Sequence, residues 1–404
     1  MNVCISVLGR FHAFNLAHEL YRRNSLCRLI TSYPKFVAGR FGVPSNLTAS
    51  ILSNELIRRG WARLPESITS RFDPVSYFSE HFETRAARYI PEEADAYVGW
   101  SGVSLTGIQH AASHGMMTIV ERCSSHIQTQ SELVTEEFER FGLEPQVAHP
   151  QIVEKELAEY ETADFISVPS RFARNSFIDR GIDAAKLIQV PYGVSLDSFS
   201  PPEEGSRERE NKFRFIHVGT VNLRKGCHYL IQAFQKLNLP NAELLFVGEV
   251  APEMKSFQER YSSPSIVFNG AVSQSELVHY YAKSHAFCLA SIEEGLAMVT
   301  AQAMACGLPV IATTNTGAED LLVDGIDGFI VPVQDSDVLA EKMLLLYENR
   351  EISAEMGASA LERVCSNYSW SDFGDRILKA YRKAHKTYRL GNSLMDSRLE
   401  ELAA

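Results

Sequence analysis

The stretch Ala290-Ser291-Ile292-Glu293-Glu294-Gly295-Leu296-Ala297-Met298-Val299-Thr300-Ala301-Gln302-Ala303-Met304-Ala305-Cys306-Gly307-Leu308-Pro309-Val310-Ile311-Ala312-Thr313 decides the fold. The apolar run Ala286 to Ala290 predicts a buried strand. An acidic turn with one glycine follows. Good helix formers from Ala301 to Ala305 are closed by Gly307. Pro309 to Thr313 predicts the next strand. The order is strand, tight loop, helix, strand. Amides at the start of such a helix have no partner inside it and sit at the positive end of its dipole. Gly295, Leu296, Ala297, Met298 and Val299 therefore form a candidate phosphate site. A neighbouring carboxylate or amide would hold sugar hydroxyls.

The stretch resembles the E-x7-E segment of the retaining, nucleotide-sugar-dependent glycosyltransferases of family 4. Glu294, Gly295, Leu296, Met298, Val299, Ala303, Met304, Ala305, Gly307, Pro309, Val310, Ile311 and Ala312 fit that pattern. Ala297 replaces a usual glycine, and Gln302 stands where the second glutamate is expected.

At 404 residues, two domains are the better prior. The chain is 45% hydrophobic and 22% charged, an ordinary globular balance. No apolar run reaches the roughly 18 residues of a membrane span. Met1 to Leu8 lacks a basic lead-in and reads as a first strand, not a signal peptide. The 7 cysteines are scattered and form no C-x-x-C pair. Reduced thiols in a cytoplasmic enzyme fit this better than a zinc site or disulfide framework. A net charge of −11 argues against general nucleic-acid binding. Residues 10 to 88 are nonetheless arginine-rich, including Arg22, Arg23, Arg28, Arg40, Arg58, Arg59, Arg63, Arg71, Arg85 and Arg88. Two readings stay open there: a solvated face, or contact with an anionic acceptor or a membrane surface.

Toward the N-terminus, residues 2 to 8 predict a strand, Gly9 to His12 a turn, and Ala13 to Arg23 a helix with one apolar stripe. A helix is expected over Leu47 to Arg59. Trp61 beside Arg58, Arg59 and Arg63 is either an acceptor or lipid-headgroup contact or a packed tryptophan on a surface helix. Strands are expected at 28–33, 94–101, 116–121, 163–170 and 186–190. Polar residues past a strand's carboxyl end are where open α/β sheets place ligands. His126 is the candidate after the 116–121 strand, with Glu121 and Arg122 as competitors.

Toward the C-terminus, Phe213 to Val218 predicts a strand, followed by the loop Gly219-Thr220-Val221-Asn222-Leu223-Arg224-Lys225-Gly226. Two cations in a glycine-bounded loop suit a diphosphate, arginine by paired hydrogen bonds and lysine as a compact charge. Strands are expected at 244–248, 266–270 and 324–332, and a helix capped by Ser273 between them. Asp335-Ser336-Asp337 precedes a helix and reads as a cap rather than a metal site. A long helix is expected over Trp370 to Tyr388, with a loose tail from Gly391 to Ala404.

The resemblance extends to Ala163–Ser170, Pro191–Pro202 and Lys225-Gly226, while Thr220 replaces a usual arginine. It covers residues 160 to 380 well and the first 150 poorly. It implies an α/β GT-B fold: two Rossmann-like domains facing across a cleft. Residues 1–202 would bind acceptor and 203–368 the donor. Residues 369–390 would form a helix crossing back to the first domain, and 391–404 a tail. The implied reaction moves a sugar from a UDP- or GDP-linked donor to a hydroxyl of a carbohydrate or lipid-linked acceptor, with retention. This places the enzyme in polysaccharide, glycolipid or glycoside biosynthesis. Glu294, Lys225, Arg224 and His126 are the implied catalytic group. Gly9, Gly219, Thr220, Gly295 to Val299 and Gln302 are the implied donor contacts. No cofactor beyond the co-substrate and no metal is expected, since loop cations and helix-start amides would carry the diphosphate charge. The expected location is the cytoplasm, with peripheral contact on the inner face of the membrane open. Rivals are a sugar-nucleotide epimerase of the same architecture and a non-catalytic sugar-nucleotide-binding protein. The absence of G-x-G-x-x-G after the first strand counts against a dinucleotide oxidoreductase.

Overall fold

The computed structural model describes residues 1–61, 63–64, 74–201 and 212–403, with side chains as far as 391. Arg71 and residues 203–211 of the expected linker lie outside the described residues.

The chain forms two parallel sheets. The first contains β1 (Val3–Val7), β2 (Leu26–Thr31), β3 (Thr48–Ser50), β4 (Ala96–Trp100), β5 (Met117–Glu121), β6 (Phe165–Val168) and β7 (Leu187–Gln189). Its spatial order is β3-β2-β1-β4-β5-β6-β7. The second contains β8 (Phe213–Val218), β9 (Ala242–Val247), β10 (Ile266–Phe268), β11 (Ala286–Leu289), β12 (Val310–Thr313) and β13 (Gly328–Val331). Its order is β10-β9-β8-β11-β12-β13. Central strands such as β1, β4, β9 and β11 are buried along their whole length. That explains why they read as continuous apolar runs rather than alternating ones. Strand order reverses at β1/β4 in one sheet and at β8/β11 in the other. Those crevices are where doubly wound sheets hold ligands, and here they face each other.

The expected helix over Leu47–Arg59 is corrected. Ser45–Leu47 is one 3-10 turn, Thr48–Ser50 is the edge strand β3, and the helix is Leu52–Trp61. Three residues are too few to show a period of two, and β3 gains its register only by pairing Leu29 with Thr48. Asp335 caps the helix Ser336–Glu348, its carboxylate accepting from the amides of Asp337 and Val338.

Two crossings join the domains side by side. Val194 and Ser369 form a bridge, and the Val194 amide donates to the Tyr368 carbonyl at 2.8 Å. The terminal helix then runs Trp370–Ala403 against the first helix, Ala13–Arg22. The expected loose tail is thus corrected. Leu394, Met395, Arg398, Leu399, Glu400, Glu401 and Leu402 are good helix formers, and the lone Gly391 does not stop the helix. Phe373, Ile377, Leu378 and Tyr381 are buried by this packing, worth about 2 kcal/mol each relative to exposure. Arg23 pins the contact, donating to Asp375 at 2.8 Å and to the Ser371 carbonyl at 2.7 Å. Among the described residues no helix is long and apolar enough to cross a membrane.

Candidate active site

Three loops of the second domain are tied into one floor. After β8 the chain turns back through Gly226, whose φ is +62°. A Cβ there would lie 1.9 Å from the Ala290 carbonyl oxygen, so only glycine lets this loop pass under β11. The Ile292 amide donates to the Arg224 carbonyl at 2.8 Å, and the Glu294 amide to the Asn315 carbonyl at 2.9 Å. Asn222 holds the Lys225 amide at 2.8 Å.

Adjacent glutamates then point to different tasks. Glu293 is fully buried and crosses to the first domain. It accepts from Ser124 Oγ at 2.7 Å, from the Ser125 amide at 3.0 Å and from Ser125 Oγ at 2.6 Å. Gln130 Nε2 donates to it at 3.2 Å, and Arg224 lies 2.8 Å away. Burial alone would raise the Glu293 carboxyl, but Arg224, Ser125 and Ser124 outweigh it and bring it down to about 2. Glu294 turns into the cleft and pairs with the Lys225 ammonium. Burial and the neighbouring Arg224 push Lys225 down to about 8.

Gly295 lies where the domains touch. A Cβ on it would sit 2.0 Å from the Cys123 carbonyl oxygen. Its own carbonyl accepts from Ser170 Oγ of the first domain at 2.5 Å. The helix Met298–Ala305 begins next, and its N-cap, Ala297, supplies no side-chain cap. The Thr300 amide donates to the Ala297 carbonyl at 3.0 Å, and the first-turn amides of Met298 and Val299 are left for a ligand.

Between the domains lies a cavity of about 1340 Å³, larger than the ~300–1,000 Å³ of a typical small-molecule pocket. Gly9, Glu294, Leu296, Met298 and Gln302 line it. Gln302 is nearly buried in that wall, its amide oxygen 3.5 Å from the Tyr281 hydroxyl. Lys225 stands behind Glu294 rather than in the lining. Arg224, Gly219, Thr220, Gly295, Ala297 and Val299 also lie outside it. Arg224 is turned into the seam by Glu293. Thr220 itself is exposed. Gly219 is bound to β9 through its amide and the Val247 carbonyl at 3.0 Å.

His126 is corrected. It caps the helix Ile127–Arg140, its Nδ1 accepting from the Gln128 amide, and its ring packs against Tyr160 and Phe177 about 5 Å away. Burial, with Arg180 and Arg122 nearby, lowers it to about 4. A neutral ring in the first domain's core does not face the cleft. Of its competitors, Arg122 is buried against Glu156 at 2.8 Å. Glu121 leads instead to a histidine that the sequence reading passed over. His12, in the turn after β1, lines the cavity and lies 3.0 Å from Glu121. Its ring also lies tilted against that of Tyr192, the centroids 4.1 Å apart. Burial opposes its charge, but Cys123 and Glu121 outweigh burial and raise it to about 9. Its position just past the first strand was the available signal. Glu293 was passed over because its neighbour fits the recognised pattern.

The basic N-terminal surface is partly neutralised. Arg58 and Arg59 share Glu55, both at 2.8 Å. Arg22 and Arg23 share Glu19.

Two switch-point crevices facing across one cleft define a GT-B protein. Residues 202–363 match the family model described as glycosyl transferases group 1. A GDP-mannose-dependent alpha-(1-6)-phosphatidylinositol monomannoside mannosyltransferase of Mycolicibacterium smegmatis is 28% identical over 234 residues, 53% of this chain and 61% of that protein. The chain spans about half the length of the curated relatives it matches. Among solved structures, sucrose-phosphate synthase from Thermosynechococcus elongatus has a TM-score of 0.73 at 19% identity, covering 96% of this chain and all of that one. Anabaena Alr3699/HepE in complex with UDP-glucose gives 0.67 at 15%, covering 95% of this chain and 100% of that one.

Proposed function

We propose that this protein transfers a sugar from a nucleoside diphosphate to an acceptor hydroxyl, with retention of anomeric configuration and without a metal ion. The observation that carries this is the pairing of Lys225 with Glu294 at the cleft wall, beside the uncapped start of the helix Met298–Ala305. In the reaction the bond from the anomeric carbon to the diphosphate oxygen breaks, the acceptor oxygen bonds to that carbon, and the acceptor hydroxyl's proton passes to the departing diphosphate oxygen. Negative charge gathers on the departing diphosphate. Lys225 and the first-turn amides stabilise that charge in place, without reorganising. Glu294, released from Lys225 as the diphosphate takes the ammonium, holds donor-sugar hydroxyls. Gln302 binds the ribose through an amide, a weaker partner than a carboxylate. His12, protonated against Glu121, adds positive charge on the opposite wall.

The family match over the second domain supports this reading, as do the nucleotide-sugar donors named for one relative and one structural neighbour. That relative is named for GDP-mannose and that neighbour for UDP-glucose, so UDP- and GDP-sugars are both donor candidates. A screen of UDP- and GDP-sugars with product analysis tests it. A glycoside with the donor's anomeric configuration, formed at full rate in a chelator, is expected. An epimerised sugar nucleotide, an inverted glycoside, or nucleotide binding confined to the first domain would each defeat the proposal.

A further inference from the structure

We propose that the first-domain wall of the cleft, at Arg10 and Arg40, binds a phosphate group carried by the acceptor. This rests on the glycosyltransferase reading and names the acceptor's chemical class. Both arginines line the cavity and are exposed to it. Arg10 lies over the Phe41 ring at 5.4 Å, and Arg40 over the Phe36 ring at 5.5 Å. A guanidinium resting on a ring face keeps its in-plane N–H groups free, the fork that matches phosphate oxygens. Among the described residues neither arginine has an ion pair or a side-chain hydrogen bond. Arg22, Arg23, Arg58, Arg59 and Arg122 each have a carboxylate partner, and Arg28, Arg85 and Arg88, which have none among the described residues, lie outside the cavity lining.

The contrast is informative in a chain whose net charge is −11. Carboxylates are plentiful, yet among the described residues the cavity lining has a single one, Glu294, and Lys225 already holds it. The turn bearing Arg10 is firmly placed. The Gly9 carbonyl accepts from Thr31 Oγ1 at 2.8 Å and its amide donates to Ser32 Oγ at 3.1 Å. Phe11, beside Arg10, sits at φ +42°, a strained conformation that its surroundings must enforce. The donor's diphosphate has its own cation and amides on the opposite, second-domain wall. An unneutralised arginine pair on the acceptor side fits an anion that arrives separately.

The full chain, saturated with whichever of UDP or GDP it binds, is titrated with inorganic phosphate, glucose 6-phosphate and glucose. Flotation with phosphatidylinositol-containing or pure phosphatidylcholine vesicles runs in parallel. The wild type should bind a phosphate-bearing probe at least tenfold more tightly than R10A/R40A, while nucleotide affinity changes less than twofold. Capture of glucose 6-phosphate alone marks a soluble phosphorylated acceptor, and capture of phosphatidylinositol vesicles alone a lipid phosphodiester; either supports the proposal. Equal binding by the two proteins, or no binding of any phosphate-bearing probe by the wild type, overturns it. Equal loss of nucleotide and phosphate affinity also overturns it, because the arginines would then serve the donor. If neither UDP nor GDP binds, the donor reading fails, and the phosphate comparison still decides this one.

Discussion

Lys225 sits under two opposing influences. Burial and Arg224 disfavour its charge, bringing it to about 8, while Glu294 is held against it. In the free protein, the ammonium is largely present at pH 7 and is lost as pH rises through 8. A diphosphate binds the charged form, so nucleotide affinity should fall about tenfold between pH 7 and 9. Calorimetric titration of UDP or GDP across that range measures it. Lys225→Arg should flatten the profile, because guanidinium does not titrate there. Lys225→Ala should lower turnover by at least about tenfold, the scale of losing one charge-stabilising contact. Unchanged turnover would remove Lys225 from the site. Gln302 makes a separate case. A carboxylate accepts from ribose hydroxyls more strongly than an amide, so Gln302→Glu should keep or tighten nucleotide binding. A large loss in the same titration would show that Gln302 does not meet the ribose.

At the scale of elements, the turn between β11 and the helix Met298–Ala305 does two jobs with adjacent residues. Gly295 lets the second domain close onto the Cys123 carbonyl, and the next residues open toward the cavity. A Cβ at 2.0 Å must push the domains apart by more than an ångström to reach ordinary contact. Gly295→Ala should therefore lower turnover by about a hundredfold, the cost of such a misplacement in a reacting complex. Secondary structure by circular dichroism should stay unchanged. This turn was legible because a buried strand, an acidic glycine turn and an alanine-rich helix each leave a local signature. Buried strands such as β8 and β11 were legible for the same reason. The edge strand β3 was not, since three residues held only by β2 carry no pattern of their own. His126 misled because a histidine after a strand looks the same in sequence whether it caps a helix or faces a ligand. His12 pairs with Glu121 across 109 residues of chain, a separation that local patterns do not encode. Gly295 is expected from sequence as a phosphate-turn glycine, yet its tight constraint comes from the other domain.

Across the whole molecule, the cleft exists because the two sheets are held at one separation. The terminal helix anchored through Arg23 does part of this, and Glu293 does the part nearest the chemistry. Glu293 joins the domains through Ser124 and Ser125 while holding Arg224 on its own side. Removing the carboxylate leaves two hydroxyls and a guanidinium facing each other in the seam. Breaking a buried pair this way costs about 3 kcal/mol, the low end of the usual range because Arg224 is 30% exposed. Glu293→Ala should lower the unfolding midpoint and raise the radius of gyration in solution scattering as the cleft opens. The acid dependence separates this role from simple packing. Glu293 is held at about 2, below the ordinary carboxylate value of about 4.3. Its contribution is thus complete above the ordinary value and disappears as pH falls through 2. Between pH 5 and pH 2 the wild type should lose stability relative to Glu293→Gln, which has no carboxyl to protonate. Parallel acid curves for the two proteins would mean that Glu293 fills space in the seam without holding it.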